Sequence, residues 1–180
     1  WQGNDFDLIV SGHLQVEGTE VNPVVITSLT DDDYGGDTNQ DGLLTVPARG
    51  DLGKLHILGS AEVDHFIMKY GGGGGTGNCC ASSAAGSILV DTSGEVSLTH
   101  IDVSESLMAG IYYTQQGGFG TSWSDLDIHD NSGDGLWISH GPGALSLENI
   151  TISNNGETGA YLSASGLTSM DGLTVLDNAD

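Results

Sequence analysis

The residues best suited to chemistry lie in an acidic stretch that runs from Asp31 to Leu43. Within it Asp37, Asn39 and Asp41 alternate with other residues and are followed by Gly42, the pattern D-x-[DN]-x-[DN]-G that opens a calcium loop. Alternate side chains of a tight loop converge on one centre, and hard oxygen donors of this kind suit Ca²⁺. We therefore expect this stretch to bind calcium.

The expected ligands extend on both sides of the motif. They are Asp31, Asp33, Asp37, Asn39, Asp41 and the backbone carbonyl of Leu43. An EF-hand would place a glutamate six residues after the glycine, where this chain has Ala48, so the loop is not an EF-hand. The missing carboxylate is expected from Asp31, Asp32, Asp33 or Asp51. A solvated acidic loop without an ion is the competing interpretation.

The charge balance excludes several classes of partner. The 180 residues include 25 acidic and three basic residues, which gives a net charge of −22. Nothing here can neutralise phosphates, so nucleic acid and anionic membrane surfaces are excluded as partners. No apolar run is long enough to span a bilayer, so no membrane insertion is expected. The composition, rich in Gly, Ser, Thr, Asn and Asp, is typical of extracellular bacterial proteins, and we expect an extracellular or cell-surface location.

Two adjacent cysteines, Cys79 and Cys80, follow a run of five glycines within the segment 71–86. In an oxidising compartment they predict either a vicinal disulfide or bonds to another chain. A zinc site is not expected there, because neither a histidine nor a further cysteine is nearby in sequence.

A repeat positions these candidate residues. Four copies of a ten-residue unit begin 25, 24 and 23 residues apart, and two looser copies precede them. The copies are Glu20–Leu29, Glu62–Gly71, Ser97–Ser106, Ser122–Asn131, Ser146–Asn155 and Ser169–Asn178. Apolar residues occupy the second, fifth and seventh positions of each copy; in the first copy the second position is Val21. The fifth and seventh positions alternate with polar residues, as in a strand with one buried face. A second short strand opens each unit, beginning at Gly86, Gly110, Gly135 and Gly159.

Such a repeat predicts an all-β solenoid, a parallel β-helix of about six coils. Equivalent residues then stack in columns. Two columns are apolar: one contains Leu98, Trp123, Leu147 and Met170, and the other contains Ile101, Leu126, Ile150 and Leu173. A third column consists of amides: Asn131, Asn155 and Asn178. We expect one single-stranded β-helix domain over 1–180, with insertions at 30–50 and 71–86.

The repeat resembles the right-handed parallel β-helix repeats of the pectate-lyase superfold. Gly133 to Ser139 and Leu147 to Asn155 carry the likeness, and the stretches Asn22–Ser28, Gly35–Gly42 and Gly50–Gly53 resemble the opening coils of large secreted bacterial members. The resemblance implies a right-handed coil but leaves function open, because this superfold includes lyases, hydrolases, epimerases, adhesins and spacers.

Two functions remain in view. The first is a secreted, calcium-stabilised structural or adhesive module of the cell surface or an extracellular fibre, a segment that continues or self-assembles by end-to-end stacking of coils or through Cys79 and Cys80. The alternative is a polysaccharide-processing enzyme. Its candidate residues are few: Arg49, Lys54 and Lys69 as bases, and Asp102 with Asp127 or Asp127 with Asp130 as a carboxylate pair. His65 and His100 are predicted to share a column, but histidine spacing predicts no catalytic site.

Overall fold

The computed structural model describes residues 6–73, 86–115, 117 and 119–180. These residues form 14 strands and no helix, so no helix of the described chain could cross a membrane. The strands are β1 (Leu8–Val10), β2 (His13–Glu17), β3 (Val24–Ile26), β4 (Leu55–Ile57), β5 (Ser60–Lys69), β6 (Gly86–Thr92), β7 (Val96–Ser104), β8 (Ala109–Gln115), β9 (Thr121–His129), β10 (Leu136–His140), β11 (Leu145–Ser153), β12 (Ala160–Ala164), β13 (Leu167–Asp171) and β14 (Thr174–Leu176).

The strands stack into two parallel sheets, and each coil contributes to both. The first sheet has the order β1-β4-β6-β8-β10-β12. The second has the order β2-β5-β7-β9-β11-β13, with β3 also paired to β5 and β14 to β11. Leu98 pairs with Trp123, Trp123 with Leu147, and Leu147 with Met170, in the predicted register. The predicted parallel β-helix is confirmed.

Each long strand of the second sheet bends at a corner residue with left-handed backbone conformation. The corner is the fourth residue in each of the last five repeat copies: His65 (φ 49°), His100 (φ 52°), Asp125 (φ 57°), Asn149 (φ 51°) and, between β13 and β14, Gly172 (φ 65°). Leu98 and Ile101 are three residues apart, a spacing that would place them on opposite faces of a regular strand. The bend lets both enter the core and leaves two consecutive residues outside.

The core is a continuous apolar column between the two sheets. Its largest side chains include Trp123, Tyr113, Phe66 and Met68, each at most 2 % exposed. The Tyr113 hydroxyl reaches Thr121 Oγ1 at 2.7 Å, which gives this buried polar group a partner. Burial raises the pKa of Tyr113 to about 12, with the hydrogen bond to Thr121 opposing the shift.

A ladder of asparagine amides closes one edge of the core, as predicted. Asn131 Nδ2 donates to Asn155 Oδ1 at 2.9 Å, and Asn155 Nδ2 donates to Asn178 Oδ1 at 2.8 Å. The side chains also bond to main chain, since Asn155 Nδ2 donates to Ile128 O at 3.2 Å. The ladder packs against Gly135, where an added Cβ would lie 2.4 Å from Ile152 Cγ2 and 2.7 Å from Asn155 Nδ2. Glycine at the start of the short strand is therefore a packing requirement.

The first coil departs from the prediction in one place. Val24 pairs with Phe66 as expected, but Val21 is 83 % exposed and does not lie above Val63. Val16 of β2 takes that position. The reason is that β2 and β3 pair with the two halves of β5 separately, and the chain leaves the sheet between them.

The first expected insertion, 30–50, lies within the described residues. No strand lies between β3 and β4, which contain residues 24–26 and 55–57. Most of the second expected insertion, 71–86, lies outside the described residues, as do Cys79 and Cys80.

Candidate functional site

The acidic loop folds tightly around the residues of the predicted motif. Asp37 accepts the backbone N–H of Asp41 through Oδ1 and that of Gly42 through Oδ2, both at 2.9 Å. Asn39 Nδ2 donates to Asp41 Oδ2 at 3.0 Å. The motif therefore forms a compact turn that its own side chains close. Leu43 is 88 % exposed at the rim of this turn.

A further carboxylate joins this turn. Burial raises the pKa of Asp32, and the charges of Asp37 and Asp41, followed by those of Asp31 and Asp33, raise it further. Asp32 Oδ1 and Asp41 Oδ1 are both shielded from solvent and lack a hydrogen-bond partner. Two shielded oxygens beside like charges are costly unless a cation or a proton compensates them. Asp32 is not in the ligand set expected from the sequence, although it is one of the residues considered there as the source of the missing carboxylate.

The remaining expected carboxylates anchor the base of the loop. Asp31 is 2 % exposed and accepts hydrogen bonds from Thr27 Oγ1 and from the backbone of Asp33. Asp51 Oδ2 accepts from Ser28 Oγ at 2.7 Å and from the Ala48 amide at 2.9 Å. Asp51 is thus committed to holding the loop closed.

Among the described residues, three metal-ligating atoms lie within 4.8 Å of one another at two other places. Neither place is in the acidic loop, whose carboxylate oxygens do not come that close together in threes. Both lie on the outer face of the second sheet, and the sequence analysis predicted neither. We call them the histidine cluster (Asp64, His65 and His100) and the carboxylate column (Asp102, Asp127 and His129).

The histidine cluster forms at the corners of two neighbouring coils. The rings of His65 and His100 stack with centroids 4.1 Å apart and planes 19° from parallel, which confirms the predicted shared column. Asp64 Oδ1 lies 2.8 Å from His65 Nδ1 and 2.9 Å from His100 Nδ1. Burial alone would raise the pKa of Asp64, but the hydrogen bond from His100 and the charges of both imidazoles lower it overall.

The carboxylate column contains its own cation. Asp102 and Asp127 are paired neighbours on adjacent strands, as predicted, and such like charges repel. His129 Nδ1 lies 2.7 Å from Asp130 Oδ2, and its Nε2 lies 3.5 Å from Asp102 Oδ2. The interaction with Asp102 is the main reason that the pKa of His129 is raised to about 9, against the opposing effect of burial. The imidazolium form therefore predominates at neutral pH and offers no lone pair to a metal.

A groove of about 500 Å³ joins the two clusters. Its lining includes His65, His100, Asp125 and Asp127, with Pro23 of the first coil. The groove is open to solvent and presents carboxylates from neighbouring strands.

The three basic residues of the chain are all engaged elsewhere. Arg49 Nε pairs with Glu105 at 2.8 Å, and Lys54 Nζ lies 3.3 Å from Asp7. Lys69 Nζ lies 5.6 Å from the ring centroid of Tyr34 at the acidic loop. None of them lines the groove, so the candidate bases of a lyase are not placed beside its carboxylates.

An aromatic ladder crosses the outside of the first sheet. Tyr112 and Trp137 stack at 5.7 Å between centroids, and Trp137 and Tyr161 stack at 3.9 Å. Tyr161 is 41 % exposed. Because the ring faces cover one another, the ladder contributes to coil stacking and leaves mainly ring edges for a ligand.

The signal for the histidine cluster was present in the repeat. After the first copy, its fourth position holds His, His, Asp, Asn and Gly in successive copies, the residue types that best tolerate left-handed backbone. If this position is taken as a corner, the sequence predicts a row of side chains that project together from one edge of the β-helix.

Comparison with known proteins agrees with this geometry. The family described as right-handed beta helix region matches residues 86–180, more than half of the chain. No curated protein and no solved structure matches the chain. The parallel sheets, the stacked columns and this match lead to one conclusion: the chain belongs to the right-handed β-helix family.

Proposed function

We propose that this β-helix is a calcium-stabilised structural or adhesive module that works outside the cell or at its surface. The observation that carries the proposal is the acidic loop, where Asp32 Oδ1 and Asp41 Oδ1 are shielded and unpartnered beside further carboxylates. A bound Ca²⁺ would satisfy both oxygens and remove the repulsion.

The proposed ligands follow from the sequence motif and from the two unpartnered oxygens. Asp37, Asn39 and Asp41 are the motif ligands, with the carbonyl of Leu43, and Asp32 adds a further carboxylate. Asp31 and Asp33, which the sequence also favours, contribute charge around the ion. When bound, the ion supplies positive charge and cross-links the insertion, and no chemical step is required of it.

The extracellular part of the proposal rests on charge. A net charge of −22 is destabilising in a compact chain unless salt or divalent cations are abundant. Extracellular fluids supply calcium at the concentrations that extracellular modules bind, in the range of about 10⁻⁴–10⁻³ M.

Thermal unfolding in calcium and in chelator tests this role. We expect the midpoint to be higher in excess CaCl₂ than in EDTA, because an ion that binds only the folded state stabilises it. The double variant Asp32→Asn/Asp41→Asn should lose this difference. Glu157→Gln, an exposed acid far from the loop, is the matched control and should retain it. An equal midpoint in calcium and chelator for the unchanged protein would contradict the calcium role.

Self-association by end-to-end stacking is part of the same proposal. Met170 is 46 % exposed and Val175 43 %, against 1 % for Leu147 and 0 % for Ile152 in the neighbouring coil, so a further coil of this or another chain stacked there would cover them. Sedimentation velocity with calcium present should show larger species as concentration rises. Persistence of those species under reducing conditions would assign them to coil stacking, and their loss would assign them to Cys79 and Cys80. A strictly monomeric protein at all concentrations would contradict self-association.

A polysaccharide-processing enzyme is the second candidate, favoured by the groove. Asp102 and Asp127 lie on adjacent strands there, and burial raises the pKa of Asp127. A reducing-end assay over acidic and neutral polysaccharides, with Asp127→Asn as the comparison, tests it. Release of new ends that Asp127→Asn abolishes would favour the enzyme over the structural module.

A further inference from the structure

We infer that Asp64, His65 and His100 form a site for a divalent transition-metal ion such as Zn²⁺, separate from the calcium loop. Three donor atoms from two adjacent coils converge there within 4.8 Å of one another. The site is independent of the proposed calcium role, and it uses a different donor chemistry.

The corner geometry brings the two imidazoles together. His65 and His100 are corner residues in consecutive coils, so their backbones lie about 4.8 Å apart, the spacing of paired strands. Left-handed backbone at both positions projects both rings from the same edge, and they stack at 4.1 Å. Two protonated rings at this separation would repel each other. Neutral rings, each with a lone pair, are the form that a metal requires.

The hydrogen bonding of the cluster is incomplete without an ion. His100 Nδ1 makes a hydrogen bond with Asp64 Oδ1 at 2.9 Å. His65 Nδ1 lies 2.8 Å from the same oxygen, in a contact of poor hydrogen-bond geometry, and is shielded from solvent. One carboxylate oxygen thus faces two nitrogens. A metal ion between the three atoms would give every one of them a partner.

Side chains outside the three ligands orient His100. Asp125 Oδ2 lies 3.8 Å from His100 Nε2, and Asn149 Nδ2 donates to Asp125 Oδ1 at 3.2 Å. Metal binding would release the proton that Nδ1 shares with Asp64, and a carboxylate near Nε2 favours keeping a proton on that nitrogen, so Nδ1 is the expected ligating atom. Carboxylate support behind a ligating histidine is the usual arrangement around protein-bound zinc.

The donor set selects the kind of metal. Two imidazole nitrogens and one carboxylate oxygen suit zinc and its neighbours, whereas calcium prefers oxygen alone. Three protein ligands leave one tetrahedral position free, and both histidines of the cluster line the groove. That position is open to water or to a donor atom of a molecule lying in the groove. The carboxylate column offers one imidazole where the histidine cluster offers two, so it suits these metals less well.

Isothermal titration of the full chain, free of any affinity tag, with ZnCl₂ tests the site. Saturating CaCl₂ is kept present, so that a failure of the calcium proposal does not affect the outcome. We expect one Zn²⁺ per chain. His100→Asn should weaken its dissociation constant at least 100-fold, and Asp125→Asn should weaken it about tenfold. Asparagine is chosen because Asn149 already occupies an equivalent corner. The control is His13→Asn, which removes an exposed imidazole on β2 and should leave the affinity unchanged.

Cobalt(II) gives a second measurement that depends on the ligands themselves. Co²⁺ bound at this site should show the visible absorption of tetrahedral nitrogen and oxygen coordination, displaced by one equivalent of Zn²⁺. Circular dichroism without metal shows whether His100→Asn folds. If it does not fold, the cobalt measurement on the unchanged protein decides whether the metal site exists. No binding of Zn²⁺ or Co²⁺, or an equal affinity in folded His100→Asn and His13→Asn, would overturn the inference and leave the cluster as a hydrogen-bonded stack.

Discussion

His129 shows how one residue makes an unfavourable column of charges tolerable. The repeat places Asp102 beside Asp127, and like charges on adjacent strands repel unless a cation relieves the repulsion. That cation is an imidazole of the chain itself, which contacts Asp102 and Asp130 from the end of β9. This role was not predicted from the sequence. His129 lies two residues beyond Asp127 on its own strand, and it contacts Asp102 only because Asp102 lies on the neighbouring coil.

We predict a pH dependence of stability from His129. Its folded pKa of about 9 exceeds the unfolded value of about 6.5, so its stabilisation is complete below about pH 6.5 and declines as pH rises through 9. The loss should be roughly 2 kcal/mol, allowing for partial exposure. Urea unfolding at pH 6.5 and at pH 9.5 measures it.

The variant His129→Gln provides the comparison. It should be less stable than the unchanged protein at pH 6.5 and should lose most of the difference between the two pH values. His13→Gln, an exposed histidine outside the column, should keep that difference. An unaltered pH dependence in His129→Gln would show that His129 is not the titrating group.

At the scale of the element, the asparagine ladder should be the polar feature at which a substitution lowers the free energy of unfolding most. Asn155 is 2 % exposed, and its side chain serves Asn131, Asn178 and the carbonyl of Ile128. Asn155→Ala leaves several buried polar groups without partners, each worth about 1–3 kcal/mol. We expect a loss of about 3 kcal/mol in urea unfolding. Asn178→Ala, at the partly exposed end of the ladder, should cost clearly less, and an equal loss would contradict a cooperative ladder.

The glycine that begins the short strand gives a second test at this scale. Gly135→Ala forces a Cβ to within 2.6 Å of the carbonyl oxygen of Gly159, a backbone atom that moves only with its coil. We expect a loss of about 2–3 kcal/mol, typical of overpacking. Gly120→Ala, where nothing lies within 4 Å of the added atom, should be nearly neutral. Similar stabilities of the two variants would show that the coil can relax around the extra methyl group.

The corners mark the limit of what periodicity could predict. Columns such as Ile101 above Leu126 follow from the repeat alone, because parallel stacking puts equivalent residues together. The contact of Asp64 with both His65 and His100 does not follow. It depends on the rotation of the chain at the corner, and an alternating strand pattern contains no such rotation. Val21 was misplaced for a similar reason, since the repeat does not specify where β2 ends.

For the whole molecule, the charge of −22 makes stability depend on salt. Screening shortens the range of repulsion to about 10 Å at 0.1 M salt, so raising ionic strength should stabilise the fold. We expect the urea midpoint to increase between about 0.02 M and 0.3 M NaCl in the presence of chelator. Choline chloride should act equally, because screening does not depend on the cation. An effect of NaCl alone would indicate site-specific sodium binding.

The spacing of the coils also bears on the order in which the molecule folds. Pairing β7 with β9, or β9 with β11, joins residues 25 or 24 positions apart, whereas pairing β2 with β5 joins residues 47 apart across the acidic loop. Each doubling of a loop adds about 0.6 kcal/mol to the entropy cost of closing it. We therefore expect pairing among β7, β9 and β11 to precede pairing of β2 with β5, with each finished coil offering an edge on which the next can pair. Ions bound at the sites proposed in the acidic loop and the histidine cluster would then act late in folding.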